Sequence, residues 1–207
     1  DDKRRGNGDA SAPLHEGETI LVQVTKDAIG TKGVQLTRRL TLPGRSLVYA
    51  PSQDRVMISR QIEDETERDR LTRLMSDISD QGEGFILRTA SVGATGEELA
   101  ADRAALIESW KAIQAAHVAI KAPSCLHADI DPLLRVLRDH ALDGIDRIHV
   151  DGPAAAEAAR RFCEQAMPGM AERVALHSGP TQMFEQYGID EEIERVCSRH
   201  VDLPSGG

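Results

Sequence analysis

The sequence predicts a mixed α+β to α/β chain in two parts. The first is a set of short strands, OB-like in texture, that runs into a helix–strand–helix stretch. The second begins near residue 131 and alternates helix with strand. Three observations predict this. Between residues 18 and 59, short apolar/polar alternations are separated by Gly and Pro turns. Between 62 and 123, two helical patterns flank one brief apolar run, "GFILRTA". After 131, helical and apolar strand patterns follow each other in strict succession.

The elements follow in order. "ETILVQVTKD" has period two and is rich in Val and Ile, so it predicts a strand. "AIGTKG" is a Gly-rich turn, "VQLTRRLTL" a second strand, "PGR" a turn, "SLVYA" a third strand and "RVMIS" a fourth. Neighbouring short strands of this kind predict a compact meander, as in a small barrel. "IEDETERDRLTRLMSDI" places Ile62, Leu71, Leu74 and Ile78 near helical spacing, with early acids that suit the helix dipole. In "ATGEELAADRAALIESWKAIQAAHVAIKAP", Thr95 and Glu98 make a capping box and Pro123 is the expected stop. Trp110 and Ile113, three apart, read as packing residues. "DPLLRVLRDHAL" predicts a helix capped by Asp131 with Pro132 in its first turn. "IDRIHVDG" and "RVALHSG" predict strands, "PAAAEAARRFCEQAMP" and "DEEIERVCSRH" helices, and "PTQMFEQYGI" a short linker. The polar opening "DDKRRGNGDASAP" predicts a disordered tail, and "VDLPSGG" the start of something new.

Composition narrows the function classes. The chain has 207 residues, a net charge of −9 and only 3% aromatics. An acidic chain argues against non-specific coating of nucleic acid. The charge is uneven, however. Lys32, Arg38, Arg39, Arg45, Arg55 and Arg60 face Asp54 alone over residues 32–60. Such a basic island suits a confined anion site, or solvated arginines on exposed strands. No stretch approaches the roughly 20 apolar residues of a membrane span. The three cysteines, Cys125, Cys163 and Cys197, are far apart with no CxxC. They predict a reducing, cytoplasmic setting without a disulfide framework.

Candidate chemistry is sparse. There is no GxGxxG, Walker loop, paired-His motif or nucleophile elbow. His127, His149, His177 and His200 are scattered, and "GTKG" is first of all a turn. Asp129, Asp131, Asp146 and Asp151 could in principle contribute to a carboxylate metal site; Asp151, at a strand end beside Gly152, reads more simply as a turn aspartate. Arg88 and Thr89 stand out. They end the apolar run Phe85-Ile86-Leu87, and a guanidinium beside a hydroxyl can grip phosphate oxygens from two directions. "PGRSLV" could add backbone N–H donors, with Gly44 letting an anion approach closely. A purely structural arginine remains the alternative at this level.

Several blocks together resemble the bacterial ribonuclease E/G family. They are "ILVQVTKDAIGTKGVQLTRRLTLPGRSLVYAP", "ISRQIEDETERDRL", "GFILRTAS", "DRIHVDG" and "VDLPSGG", in the family's order and approximate spacing. The resemblance runs from about residue 19 to the end. It implies an S1/OB-like β unit carrying an inserted 5′-sensor α/β region, followed by an RNase H-like α/β subdomain. The implied division is a tail over 1–15, S1-type strands over 16–62, a sensor region over 36–133 that overlaps them, and an incomplete RNase H-like part over 134–207. It implies that Gly44, Val48, Arg88 and Thr89 bind the 5′-monophosphate of RNA. Arg88 would make charge-assisted contacts and Thr89 a hydroxyl contact. Gly44 and Val48 would offer backbone donors, with Val48 also an apolar face under the terminal base. Arg38, Arg39, Arg45 and Arg60 are candidate contacts to the RNA backbone.

The resemblance also implies partners and limits. The complete enzyme would be an endoribonuclease of RNA processing and decay that cleaves single-stranded RNA, not DNA, with Mg2+. It would assemble as a dimer or tetramer, with Zn2+ at a subunit interface. The aspartates that hold the catalytic metal, and the cysteine pair for zinc, belong to segments after "LPSGG". No catalytic or metal-binding residue is therefore expected in this chain, and alone it should be inactive. A non-catalytic RNA-binding or scaffold protein of the same fold is the alternative. An unrelated α/β enzyme with a phosphate ligand is a third reading.

Overall fold

A computed structural model describes residues 13–141, 144–200 and 206. Most of the expected tail, and the "VDLPSGG" block except Gly206, lie outside the described residues. The structure is mixed α and β, and it divides into two compact units between Ile130 and Asp131.

The first unit opens with a hairpin of β1 (Gln23–Lys26) and β2 (Gln35–Thr37), paired antiparallel. "GTKG" is its turn: Ile29 and Lys32 bridge across it, and Gly30 takes φ +59°. The expected long strand over 34–42 is broken. A bend follows Thr37, where Leu40 N–H donates to Arg38 O, and only Leu42–Pro43 rejoins a sheet as β3. β4 (Leu47–Tyr49), β5 (Val56–Ile58) and β6 (Phe85–Leu87) complete that sheet in the order β3-β4-β6-β5.

The meander expectation therefore fails at one point. β5 does not pair with β4, because β6 enters between them, antiparallel to β4 and parallel to β5. The physical reason is burial. Phe85 and Leu87 are fully buried, and a central place covers them on both sides. The parallel β5–β6 pair requires a crossover, which α1 (Glu65–Ile78) supplies.

Side-chain alternation sorts the sheet into two faces. Leu47, Tyr49, Phe85 and Leu87 join Leu71 and Met75 of α1 in one core. Leu99, Leu106, Trp110 and Ile113 of α2 (Gly96–Ala119) complete it. Val48 and Ile86 stand opposite each other in register on the alternate face, and both are half-buried. Tyr49 packs 5.0 Å from Phe85 and 6.4 Å from Trp110 between ring centroids. Thr95 and Glu98 form the expected capping box of α2, while α1 starts at Glu65, three residues after the expected Ile62, on an Asp64 cap not singled out from the sequence. α2 stops at Ala119, before Pro123, because Ile120 already leaves helical geometry.

The second unit contains α3 (Pro132–His140), β7 (Ile148–Val150), α4 (Pro153–Ala166), α5 (Pro168–Ala171) and β8 (Val174–Leu176). Asp131 caps α3, as its sequence predicts. β7 and β8 pair in parallel, and Ala156, Ala159 and Cys163 of α4 lie in their core. Cys163 acts there as a small apolar residue, and none of Cys125, Cys163 and Cys197 is in a disulfide. The expected linker over 180–189 instead contains a short helix, α6 (Met183–Gln186), before α7 (Ile189–Val196).

Among the described residues, no helix is long and apolar enough to cross a membrane.

Candidate functional site

The strand register brings three segments to one end of the four-stranded sheet. β6 ends at Leu87, with Arg88 directly after it; paired β4 begins beside Leu87 at Leu47, and parallel β5 ends beside it at Ile58. Ser59 N–H donates to Leu87 O at 2.9 Å, which carries the pairing one residue further and sets Arg60 at this end. Arg45 lies in the turn that enters β4 and is half-buried, while Arg60 is exposed. Arg38 and Arg39 lie in the bend before β3, where that strand begins, not where the 43–47 turn closes it.

Arg88 is fixed from several directions. Its backbone N–H donates to Ser46 O at 2.9 Å. Its carbonyl accepts the Ser91 N–H at 3.0 Å and the Ser91 hydroxyl at 2.6 Å. Ser91 is fully buried, so this hydroxyl needs an internal partner and finds it in Arg88. Arg88 Nη1 donates to Gly44 O at 2.7 Å and to Arg45 O at 3.3 Å. Thr89, exposed, opens the single 3-10 turn Thr89–Ser91.

The turn at residues 43–47 cradles an anion, as its sequence suggests, but the anion is internal. Arg45 N–H donates to Asp102 Oδ1 at 3.3 Å, and the Ser46 and Leu47 N–H groups donate to Oδ2 at 2.8 Å each. Gly44 N–H donates to Leu47 O at 2.8 Å. The N–H groups of residues 44 to 47 are thus already engaged. A Cβ built on Gly44 would stand 2.8 Å from Asp102 Oδ2 and closer still to Oδ1, which explains the glycine. Val48 lies on the sheet face away from the helices, in register with Pro43 on one side and Ile86 on the other.

Three supporting residues escape sequence reasoning. One is Asp102, on the first half of α2, which reads simply as part of a solvated face. The second is Arg68, whose Nη1 donates to Ser59 O at 3.1 Å and Ile62 O at 3.0 Å and so holds the turn that carries Arg60. The third is Glu67. It takes a two-pronged bond from Arg70, at 2.7 and 2.6 Å, and the Gly93 N–H at 2.8 Å. Arg70 Nη1 reaches on to Ala94 O at 2.8 Å, so α1 is tied to the loop that follows Thr89–Ser91.

The Arg70 side-chain bond first, and the Gly93 N–H second, hold the Glu67 carboxyl at about 2, below the ordinary 4.5. A depressed carboxyl pKa contributes stability that is present above the unfolded value and is lost as pH falls through the folded one. The expected outcome is that wild type is more stable than Glu67→Gln at neutral pH. That advantage shrinks as pH drops from 4.5 towards 2, measured as the difference in thermal midpoints. A difference that stays constant across this range argues that Glu67 is not so held.

The family model for the ribonuclease E/G family matches residues 41–207, a span that includes the sheet, the Arg88 end and the second unit. The chain belongs to the ribonuclease E/G family. It is 37% identical over 199 residues to ribonuclease G of Salmonella typhimurium and of Escherichia coli K12, covering 96% of this chain. It is 39% identical over 197 residues to ribonuclease E of Haemophilus influenzae, covering 94% of this chain. The chain spans 41% of the length of those ribonuclease G proteins and 21% of that ribonuclease E. The family expected from the separated sequence blocks is therefore the family found. In this ribonuclease E/G family chain, Gly44, Arg45, Arg60, Arg88 and Thr89 meet at one sheet end, with Val48 on the adjoining face.

Proposed function

We propose that this chain is the end-recognising part of an endoribonuclease of the E/G type and binds the 5′-monophosphate of single-stranded RNA. The observation that carries this reading is the anchored Arg88. A half-buried guanidinium, locked at a sheet end beside the exposed Thr89 hydroxyl, suits a phosphate dianion with little conformational cost on binding. Arg88 supplies the charge-assisted contact and Thr89 the hydroxyl contact. Val48 supplies an apolar surface for the terminal base, and Arg45 and Arg60 extend positive charge along the strand that follows. In this arrangement Gly44 acts by admitting the Asp102 carboxylate beneath the turn, not by donating its own N–H. The S1-type and 5′-sensor assignments of the first unit, and the RNase H-like assignment of the second, belong to this same reading.

One terminal phosphate site gives little sequence specificity. Its use is positional: held at its end, the RNA presents downstream bonds at a raised local concentration to the cleaving part of the protein. Among the described residues, no group of three or more His, Cys, Asp or Glu side chains could hold a metal ion. We assign a metal-dependent hydrolytic step to other segments of a longer protein, as the family resemblance implies.

The test compares two oligoribonucleotides of one sequence, bearing a 5′-monophosphate or a 5′-hydroxyl, by fluorescence anisotropy. The monophosphate is expected to bind about tenfold tighter, the size of one charge-assisted contact. Equal affinities would end the reading.

A further inference from the structure

We infer that Asp102 is a positioning residue for the phosphate-binding arginine and acts on it through three peptide groups. The inference rests on the 5′-end reading and deepens it. Asp102 accepts the N–H groups of residues 45, 46 and 47. Arg88 takes up the carbonyls of residues 44, 45 and 46, two through Nη1 and the third through its backbone N–H. The N–H of one residue and the C=O of the residue before it belong to the same planar peptide group. The same three peptides therefore lie between a carboxylate on their donor side and Arg88 on their acceptor side.

Two consequences follow from elementary electrostatics. Each peptide carries a dipole of about 3.5 D, and all three turn their N–H ends to the Asp102 carboxylate and their C=O ends to N–H groups of Arg88. A carboxylate on the N–H ends strengthens the carbonyl acceptors at the other ends, so the bonds to Arg88 are reinforced cooperatively. The carboxylate also fixes the turn. Without it three donors lose their partner, the turn relaxes, and the carbonyls that seat the guanidinium move with it.

Asp102 is also a negative charge near the site, and that effect has the opposite sign. A carboxylate acting only by repulsion weakens phosphate binding, so its removal would strengthen it. Positioning and repulsion thus predict opposite results for one substitution. Three N–H donors spread the carboxylate charge over the turn, which favours the positioning effect.

The experiment uses the 207-residue chain and the same two oligoribonucleotides. Asp102→Asn keeps the shape of the side chain and removes the charge and two-oxygen acceptance. Asp102→Ala removes the carboxylate altogether and leaves all three N–H groups without it. Folding of each is checked by circular dichroism. Both are expected to lose most of the monophosphate preference, by about fivefold to tenfold, with affinity for the 5′-hydroxyl oligonucleotide unchanged. In an Arg88→Ala background, Asp102→Asn is expected to change the preference no further, since the residue it positions is gone. A wild-type preference ratio in either folded variant overturns the inference, as does a rise in monophosphate affinity. A parallel fall for both oligonucleotides also overturns it, because that marks a merely structural role. If wild type itself shows no preference, the 5′-end reading fails and this inference falls with it. If wild type shows the preference and Arg88→Ala abolishes it while Asp102→Asn does not, only this inference fails.

Discussion

Arg88→Ala is expected to abolish the discrimination between 5′-monophosphate and 5′-hydroxyl RNA while leaving the chain folded. The guanidinium supplies the charge-assisted contact, whose removal costs about 1.5 kcal/mol, or roughly tenfold in affinity for the phosphorylated end. Affinity for the hydroxyl end should change far less. The substitution also strips two hydrogen bonds from Gly44 O and Arg45 O. Both residues are only half-buried, so water can take the place of the lost donor and the stability cost stays small. Arg88→Lys keeps the charge but not the planar fork, and should retain only part of the preference. Paired anisotropy titrations at two salt concentrations check the result, because a lost phosphate contact also lowers the salt dependence. An Arg88→Ala protein with the wild-type ratio would remove Arg88 from the site.

Phe85→Ala carries the largest expected stability effect. Phe85 is fully buried, sits on the central strand β6 and packs on Tyr49 at 5.0 Å. Truncating such a residue costs about 3–5 kcal/mol, through lost transfer energy and the cavity left behind. A loss of that size is a large share of the roughly 5–15 kcal/mol available to a domain. Arg88 follows directly on the end of the same strand, so the site should weaken with the sheet. Urea unfolding measures the loss. A shift below about 1 kcal/mol would contradict the central place of β6, since an edge strand tolerates truncation far better.

Much of the fold was legible where the signal is local. Thr95 with Glu98, and Asp131 with Pro132, set helix starts because a cap needs only residues one turn away. The alternation in "SLVYA" and the apolar run in "GFILRTA" gave strands that the structure keeps, shortened at their ends. The break after Thr37 was not legible, since "VQLTRRLTL" alternates without interruption and only its tertiary setting divides it. Strand order was not legible either. "RVMIS" follows "SLVYA" closely in sequence, yet β6 lies between them, because burying Phe85 and Leu87 outweighs the short connection. The exposed apolar residues Ile20, Val24, Val34 and Leu36 of the hairpin region show the same limit: alternation predicts strands, not what covers them.

At the candidate site the division is sharper. Sequence by itself determined the family, the mixed α and β character, the helix caps and the pairing of Arg88 with Thr89 at a strand tip. It also marked Gly44 as a point of close anionic approach. Only the tertiary structure decided which anion lies there. Asp102 is 55 to 57 residues from the N–H groups it accepts, and no periodicity or motif links positions so far apart. A carboxylate on a helix surface and a glycine in a turn become partners only when the core of Leu47, Phe85, Leu99 and Trp110 packs helix against sheet. Local chemistry chooses caps and turns from neighbouring residues. Burial chooses which distant charges meet, and here it set Asp102 beneath the turn that holds Arg88.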